Sequence, residues 1–291
     1  METIHTIEWM KQIVHAARAS DRILGLVPTM GALHEGHFSL IRAAKQQCTQ
    51  VAVSIFVNPT QFGPSEDFSK YPRHLDVDRA ALHNLGVDYL FVPSAQEMYP
   101  TGFSTFVEVQ GISDRLEGCL RPGHFRGVAT IVLKLFEIVQ PRFAFFGRKD
   151  AQQARIIRQM CADLNLDTQI LVCPITREAD GLALSSRNVY LQPDDRQAAT
   201  ALSRALAAAA DEIKKGERDP ARLLASVRRV IDGEPRVTLD YAEIVNAETL
   251  QPVTSTLHGT NYILIAAKIG NTRLIDNALI EQDGELFKLS V

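Results

Sequence analysis

From Ile23 to Val172 short apolar runs alternate with segments of helical period, and this alternation, more than any other feature, limits what the chain can fold into. Such an order builds a mostly parallel sheet whose strands are joined by crossover helices. Ile23 to Val27, Val51 to Phe56, Asp88 to Phe91, Phe143 to Phe146 and Gln169 to Val172 are predicted as strands. Phe38 to Gln47, Asp76 to Leu85, Val128 to Val139 and Ala151 to Leu164 carry the apolar spacing of helices laid on a sheet. Near Pro174 the pattern changes. A polar stretch from Thr176 to Asp195 leads into an alanine-rich helix through Ala210, then a helix around Leu223 to Ile231 and two apolar strands, Val237 to Val245 and Tyr262 to Ile269. The fold class that follows is α/β: a Rossmann-like parallel-sheet domain over residues 1–175, then a smaller α+β domain over residues 176–291.

Bulk properties narrow the function classes. At 291 residues the chain exceeds the comfortable size for one core, which agrees with two domains. A net charge of −3 does not advertise a broadly basic nucleic-acid surface. No apolar run reaches membrane-spanning length, and Glu8 and Lys11 interrupt what would be the core of a signal peptide. Cys48, Cys119, Cys161 and Cys173 form no close pair and are mostly expected as buried small hydrophobes, which fits a reducing cytoplasm.

Three strand ends carry chemistry. Open α/β sheets bind ligands at the carboxyl ends of their strands, and the first predicted strand runs into Pro28-Thr29-Met30-Gly31-Ala32-Leu33-His34-Glu35-Gly36-His37 before a helix begins after His37. Gly31 and Gly36 allow close approach to a ligand. The amides of the helix start are expected to face phosphate. His34 and His37, three residues apart, can then donate hydrogen bonds to charge developing on one phosphate. At the second strand end Asn58 and Gln61 bring uncharged amides suited to a hydroxy-acid, although an Asn-Pro turn explains Asn58 equally well. The fourth strand leads into Gly147-Arg148-Lys149-Asp150-Ala151-Gln152-Gln153. Lys149 supplies an ammonium for phosphates, Asp150 an acceptor for ribose hydroxyls, and Gln153 projects one helical turn beyond Lys149. Arg121, His124 and Arg126 make a cationic loop that is either solvated or turned toward phosphate. Ser185-Ser186-Arg187 combines two hydroxyls with a guanidinium able to grip phosphate oxygens, or forms a surface loop.

Together these strings resemble the pantothenate synthetases, or pantoate–β-alanine ligases, of the nucleotidyltransferase superfamily with a His-x-Gly-His element. The resemblance spans Pro28 to His37, Phe56 to Phe62, Leu120 to Val128, Gly147 to Gln153, Arg177 to Asn188 and Gly270 to Asn277. It implies ATP-dependent condensation of pantoate with β-alanine through a pantoyl-adenylate, with magnesium accompanying ATP and a homodimeric assembly. It implies ATP contacts at Met30, Gly31, His34, His37, Gly147, Lys149, Asp150, Thr176, Leu184, Ser185, Ser186 and Arg187. Pantoate and β-alanine would meet Pro28, Met30, Asn58, Gln61 and Gln153, with His37, His34, Lys149 and Arg187 as the catalytic group. No metal ligands are assigned, and no nucleic-acid or membrane partner is expected. Residues 176–291 are expected to act as a lid. Arg148 stands where the family commonly has glutamate, for which a modest local charge change is expected; Thr176 stands where many members have valine. Two other classes compete: a different nucleotidyltransferase, recognised by a stable dinucleotide product, and a regulatory nucleotide binder, recognised by loss of a histidine, the lysine or the arginine.

Overall fold

The computed structural model describes residues 1–64, 66–284 and 286–291. Its chain order is β1 Glu2–Ile4, α1 Ile7–Arg18, β2 Leu24–Thr29, α2 Glu35–Gln47, β3 Gln50–Ile55, α3 Leu75–Asn84, β4 Tyr89–Phe91, α4 Ala95–Met98, α5 Glu117–Leu120, α6 His124–Val139, β5 Phe143–Gly147, α7 Ala151–Asp163 and β6 Gln169–Cys173. There follow α8 Pro193–Ala198, α9 Ala201–Lys214, α10 Pro220–Asp232, β7 Val237–Asn246, β8 Asn261–Ile269, β9 Thr272–Asp283 and β10 Leu286–Ser290. The chain clusters into two compact units. One comprises Met1–Gly147 with Gln152–Pro174, the other Arg148–Ala151 with Ile175–Val291.

The first unit is a six-stranded parallel sheet in the order β1-β4-β3-β2-β5-β6. From β2 the chain proceeds outward to β3 and β4, then returns to place β5 and β6 on the other side. The switch point therefore lies between β2 and β5, where such sheets open a ligand crevice. Pairing explains why it opens there. β2 matches β3 over all six residues, yet it matches β5 only at Gly25 and Leu26, so the two strands part beyond Leu26. That divergence also corrects the predicted strand end at Val27. Pro28 continues the strand because it needs a ladder partner on the β3 side alone.

Among the elements that escaped the sequence pattern are β1 and α1. β1 has three residues, too few to show a period. α1 buries Met10, Val14 and Ala17 on one stripe and is capped by Thr6, whose side chain accepts from the Trp9 amide. Of the four cysteines only Cys161 is buried and Cys119 is exposed, fewer in the core than expected.

The second unit is a four-stranded antiparallel sheet in the order β10-β9-β8-β7, and α9 and α10 share its core. β9 and β10 were not anticipated. Leu274, Ala278 and Ile280 alternate into the core as a strand requires, but Asp276 interrupts them on the same face. Ile269 pairs with Thr272 across a two-residue turn in which Gly270 has φ +57°, a left-handed conformation suited to glycine. Among the described residues no helix is long and apolar enough to cross a membrane.

Candidate functional site

The carboxyl end of β2 delivers the loop Met30–Leu33 and then His34, which caps α2. The helix starts at Glu35, earlier than the sequence suggested, because the His34 imidazole serves as its cap. His34 Nδ1 accepts from the Gly36 amide at 3.2 Å, and His37 Nδ1 accepts from the His34 amide at 3.3 Å. The amides of His37 and Phe38 donate to the His34 carbonyl at 2.8 and 3.1 Å. The amides of Gly36, His37 and Phe38 are thus taken internally. Because each Nδ1 accepts a backbone hydrogen bond, the neutral ring must carry its proton on Nε2. The ring centroids lie 4.1 Å apart.

A buried carboxylate that the sequence reading passed over holds this loop. Asp78, 3% exposed in the first turn of α3, accepts from the amides of Ala32 and Leu33, both at 2.9 Å. Gly31 has φ +83°, and an added Cβ would lie 3.2 Å from Asp78 Oδ2, so a side chain there would be strained and crowded at once. The signal for Asp78 was weak: an acid in a helix first turn is ordinarily read as favouring the dipole.

Asn58, Gln61 and Met30 meet in the same unit. Gln61 Nε2 contacts Met30 Sδ at 3.2 Å. Asn58 is 1% exposed and fully engaged with protein. Its Nδ2 donates to Gln61 Oε1 and the Gly127 carbonyl, each at 3.1 Å, and its Oδ1 accepts from Tyr99 Oη at 2.7 Å and Thr60 Oγ1 at 3.0 Å. Of the two readings of Asn58 left open by the sequence, the turn is seen: Asn58 caps Pro59–Gln61 and holds the Gln61 side chain. Gln153 is half-buried on α7. Beside it Gln152, 4% exposed, ties Glu117, Ile112 and Arg115 together through three hydrogen bonds, a role the sequence did not reveal.

The loop Arg121–Gly127 is tied to neighbouring segments through Arg121 and His124. Arg121 is gripped by both oxygens of Glu66 at 2.8 and 2.7 Å and contacts His124 Nε2 at 3.0 Å, while His124 Nδ1 donates to the Gln61 carbonyl at 2.8 Å. Arg126 lies over the Phe106 ring, 4.1 Å from its centroid. Burial first, then the Arg121 cation, pushes the His124 pKa down to about 4. The folded ring is therefore neutral at a pH where the unfolded chain, with an ordinary value near 6.5, takes up a proton. Stability from this group is full above pH 6.5 and is lost as pH falls toward 4, by about 3 kcal/mol in all. Urea unfolding of His124→Asn is expected to show a shallower decline across that window; an unchanged slope would remove His124 as its source.

In the second unit, Lys149 and Asp150 lie in the turn Arg148–Asp150, and Ser186 and Arg187 in the turn Ser186–Tyr190, both packed against β9. Ser185 caps the latter, its Oγ accepting from the Arg187 amide at 3.3 Å. Thr176 and Leu184 pair as the Leu184 amide donates to the Thr176 carbonyl at 3.0 Å. Arg148, for which a modest local charge change is expected, is an interior cation, 9% exposed, whose Nη2 donates to the Ser290 carbonyl at 3.0 Å. Its burial, with Arg177 nearby, lowers its pKa from the usual guanidinium value.

A parallel sheet with a topological switch point, and a histidine pair following its switch-point strand β2, is the arrangement of an α/β nucleotide-binding enzyme. Comparison with known proteins specifies which. The chain belongs to the pantoate–β-alanine ligase family, whose model matches residues 2–279. It is 51% identical to a pantothenate synthetase of Pelotomaculum thermopropionicum over 97% of this chain and all of that one. The crystal structure of pantothenate synthetase from Thermus thermophilus superposes with a TM-score of 0.90 at 44% identity, covering 95% of this chain and 98% of the other. That of pantoate–β-alanine ligase from Francisella tularensis, complexed with β,γ ATP and β-alanine, gives 0.77 at 37% identity, covering 95% and 97%.

Proposed function

We propose that this chain condenses pantoate with β-alanine, converting ATP to AMP and pyrophosphate. The observation that carries the reading is the family match along nearly the whole chain, with the His34–His37 pair at the end of the switch-point strand β2. Pantoate's carboxylate has no good leaving group. Attack of one carboxylate oxygen on the α-phosphorus forms a P–O bond and breaks the bond to the β-phosphate, releasing pyrophosphate. The β-alanine amine then attacks the acyl carbon, the C–N bond forms, the amine proton is lost, and AMP departs.

The residues act mainly by positioning and by stabilising charge. In this reading His34 and His37 donate through Nε2 to phosphate oxygens, and Lys149 and Arg187 add cationic contacts. Met30, Gly31, Gly147, Asp150, Thr176, Leu184, Ser185 and Ser186 complete the nucleotide contacts, while Pro28, Met30, Gln61 and Gln153 hold the acid. Magnesium accompanies ATP and offsets phosphate charge. Among the described residues no three His, Cys, Asp or Glu side chains converge as a metal site.

The test is AMP release from ATP by the purified protein. It is expected to require pantoate and β-alanine together, with pyrophosphate exchange supported by pantoate alone. AMP release that ignores pantoate, or a stable dinucleotide product, would assign the chain to another adenylyl-transfer reaction.

A further inference from the structure

Near the end of the chain, β9 carries part of the family-like string Gly270 to Asn277. Two of its residues, Asp276 and Asn277, are 3% and 1% exposed. Asn277 Nδ2 donates to the carbonyl of Arg148 at 2.8 Å and to that of Lys149 at 2.9 Å. Since both partners can only accept, the orientation of this amide is chemically forced. Asn277 thus uses both side-chain hydrogens to pin the backbone on which the Lys149 ammonium is carried.

Asp276 does the corresponding work for the second turn. Its carboxylate takes both ends of the Arg177 guanidinium, at 2.7 and 2.8 Å. Arg177 in turn donates to the Gly181 carbonyl at 3.0 Å and bridges to Ala183, closing the small hairpin from which Leu184 and Ser185–Arg187 emerge. The turn Arg148–Asp150 and the turn Ser186–Tyr190 both pack on β9, the strand that bears Asp276 and Asn277.

Two features are costly for a residue that serves packing alone. Asp276 places a carboxylate on a strand face otherwise occupied by Leu274, Ala278 and Ile280. Asn277 leaves its Oδ1 buried without a hydrogen-bond partner among the described residues. An apolar residue in each place would avoid the penalty of that place. What these side chains provide instead is a fixed origin for two turns, and a small misplacement of a charge-stabilising group is enough to slow a reaction.

We propose that Asp276 and Asn277 are positioning residues for nucleotide handling: Asn277 sets the Lys149 turn and Asp276, through Arg177, sets the approach to Ser185–Arg187. The inference rests on the reading that Lys149 faces ATP. Its test compares Asn277→Ala, Lys149→Ala and the double variant by steady-state kinetics on each substrate. Asn277→Ala is expected to raise KM for ATP about tenfold or more, with KM for pantoate and β-alanine within about twofold of the parent. Because the effect runs through Lys149, adding Asn277→Ala to Lys149→Ala is expected to change KM for ATP by less than about twofold.

If Lys149→Ala itself leaves ATP kinetics unchanged, the nucleotide reading of the turn fails and the inference with it. If Lys149→Ala is impaired while folded Asn277→Ala behaves like the parent, the positioning inference alone is overturned. Should Asn277→Ala not fold, the unaltered protein decides by NMR. The Asn277 side-chain amide signals are expected to shift on addition of a non-hydrolysable ATP analogue, and unmoved signals overturn the proposal.

Discussion

Replacing His37 by alanine is expected to lower pantoate-dependent pyrophosphate exchange by about 10²–10³-fold, the usual loss when one preorganised donor to developing charge is removed. The structure adds a complication that the sequence did not show. His37 Nδ1 also accepts the His34 amide, so alanine removes a helix-capping acceptor together with the Nε2 donor. Loss of a cap costs about 0.5–2 kcal/mol of stability and could tilt His34 as well. His37→Asn separates the two contributions, because its Oδ1 sits where Nδ1 does and can still accept from His34, while nothing remains at the position of Nε2. The expected result is near-parent thermal stability in His37→Asn with exchange as low as in His37→Ala. If asparagine restores exchange, His37 acts only as a cap, and the donor role passes to another group.

How much of this could be read from the sequence follows from how local each cause is. The crevice elements announced themselves: Val51 to Phe56 and Phe143 to Phe146 are apolar runs whose burial needs no knowledge of distant residues, and the observed strands end within a residue of the predicted ones. His34 and His37 were found because glycines and a strand end flanked them. The start of α2 was misplaced because a histidine is an uncommon cap, and only the geometry shows its ring turned onto Gly36. Asn58 is the opposite kind of case. Its partners include Tyr99 and Gly127, far off in sequence, so no local pattern distinguishes a ligand contact from a residue that orients one. β9 was missed for the reason that makes it interesting: Asp276 breaks the apolar alternation, and the compensating cation is Arg177, 99 positions away. Interior ion pairs hide strands from pattern reading because the pairing that makes them tolerable is not local.

Gly127→Ala is a sharper test of the proposed acid-binding role of Gln61, since helix propensity and steric contact predict opposite signs. Gly127 lies in α6, where replacing glycine by alanine ordinarily stabilises a helix by about 1 kcal/mol. Here an added Cβ would lie 2.4 Å from the Thr60 carbonyl oxygen, 2.6 Å from its carbon and 2.7 Å from Gln61 Cα. All three are backbone atoms, so no side chain can rotate away, and α6 must retreat from the Pro59–Gln61 turn by roughly an ångström to reach ordinary contact. Two hydrogen bonds span that gap: Asn58 Nδ2 to the Gly127 carbonyl, and His124 Nδ1 to the Gln61 carbonyl. Each buried polar group left unpaired costs about 1–3 kcal/mol, so the clash outweighs the propensity gain and a net loss of about 3 kcal/mol is expected in urea unfolding. Because the same movement displaces Gln61, KM for pantoate, measured at a temperature where the variant remains folded, is expected to rise more than about tenfold while KM for ATP changes little. A variant as stable as the parent would mean that α6 does not approach the turn this closely. A destabilised variant with unchanged KM for pantoate would instead separate Gln61 from recognition of the acid.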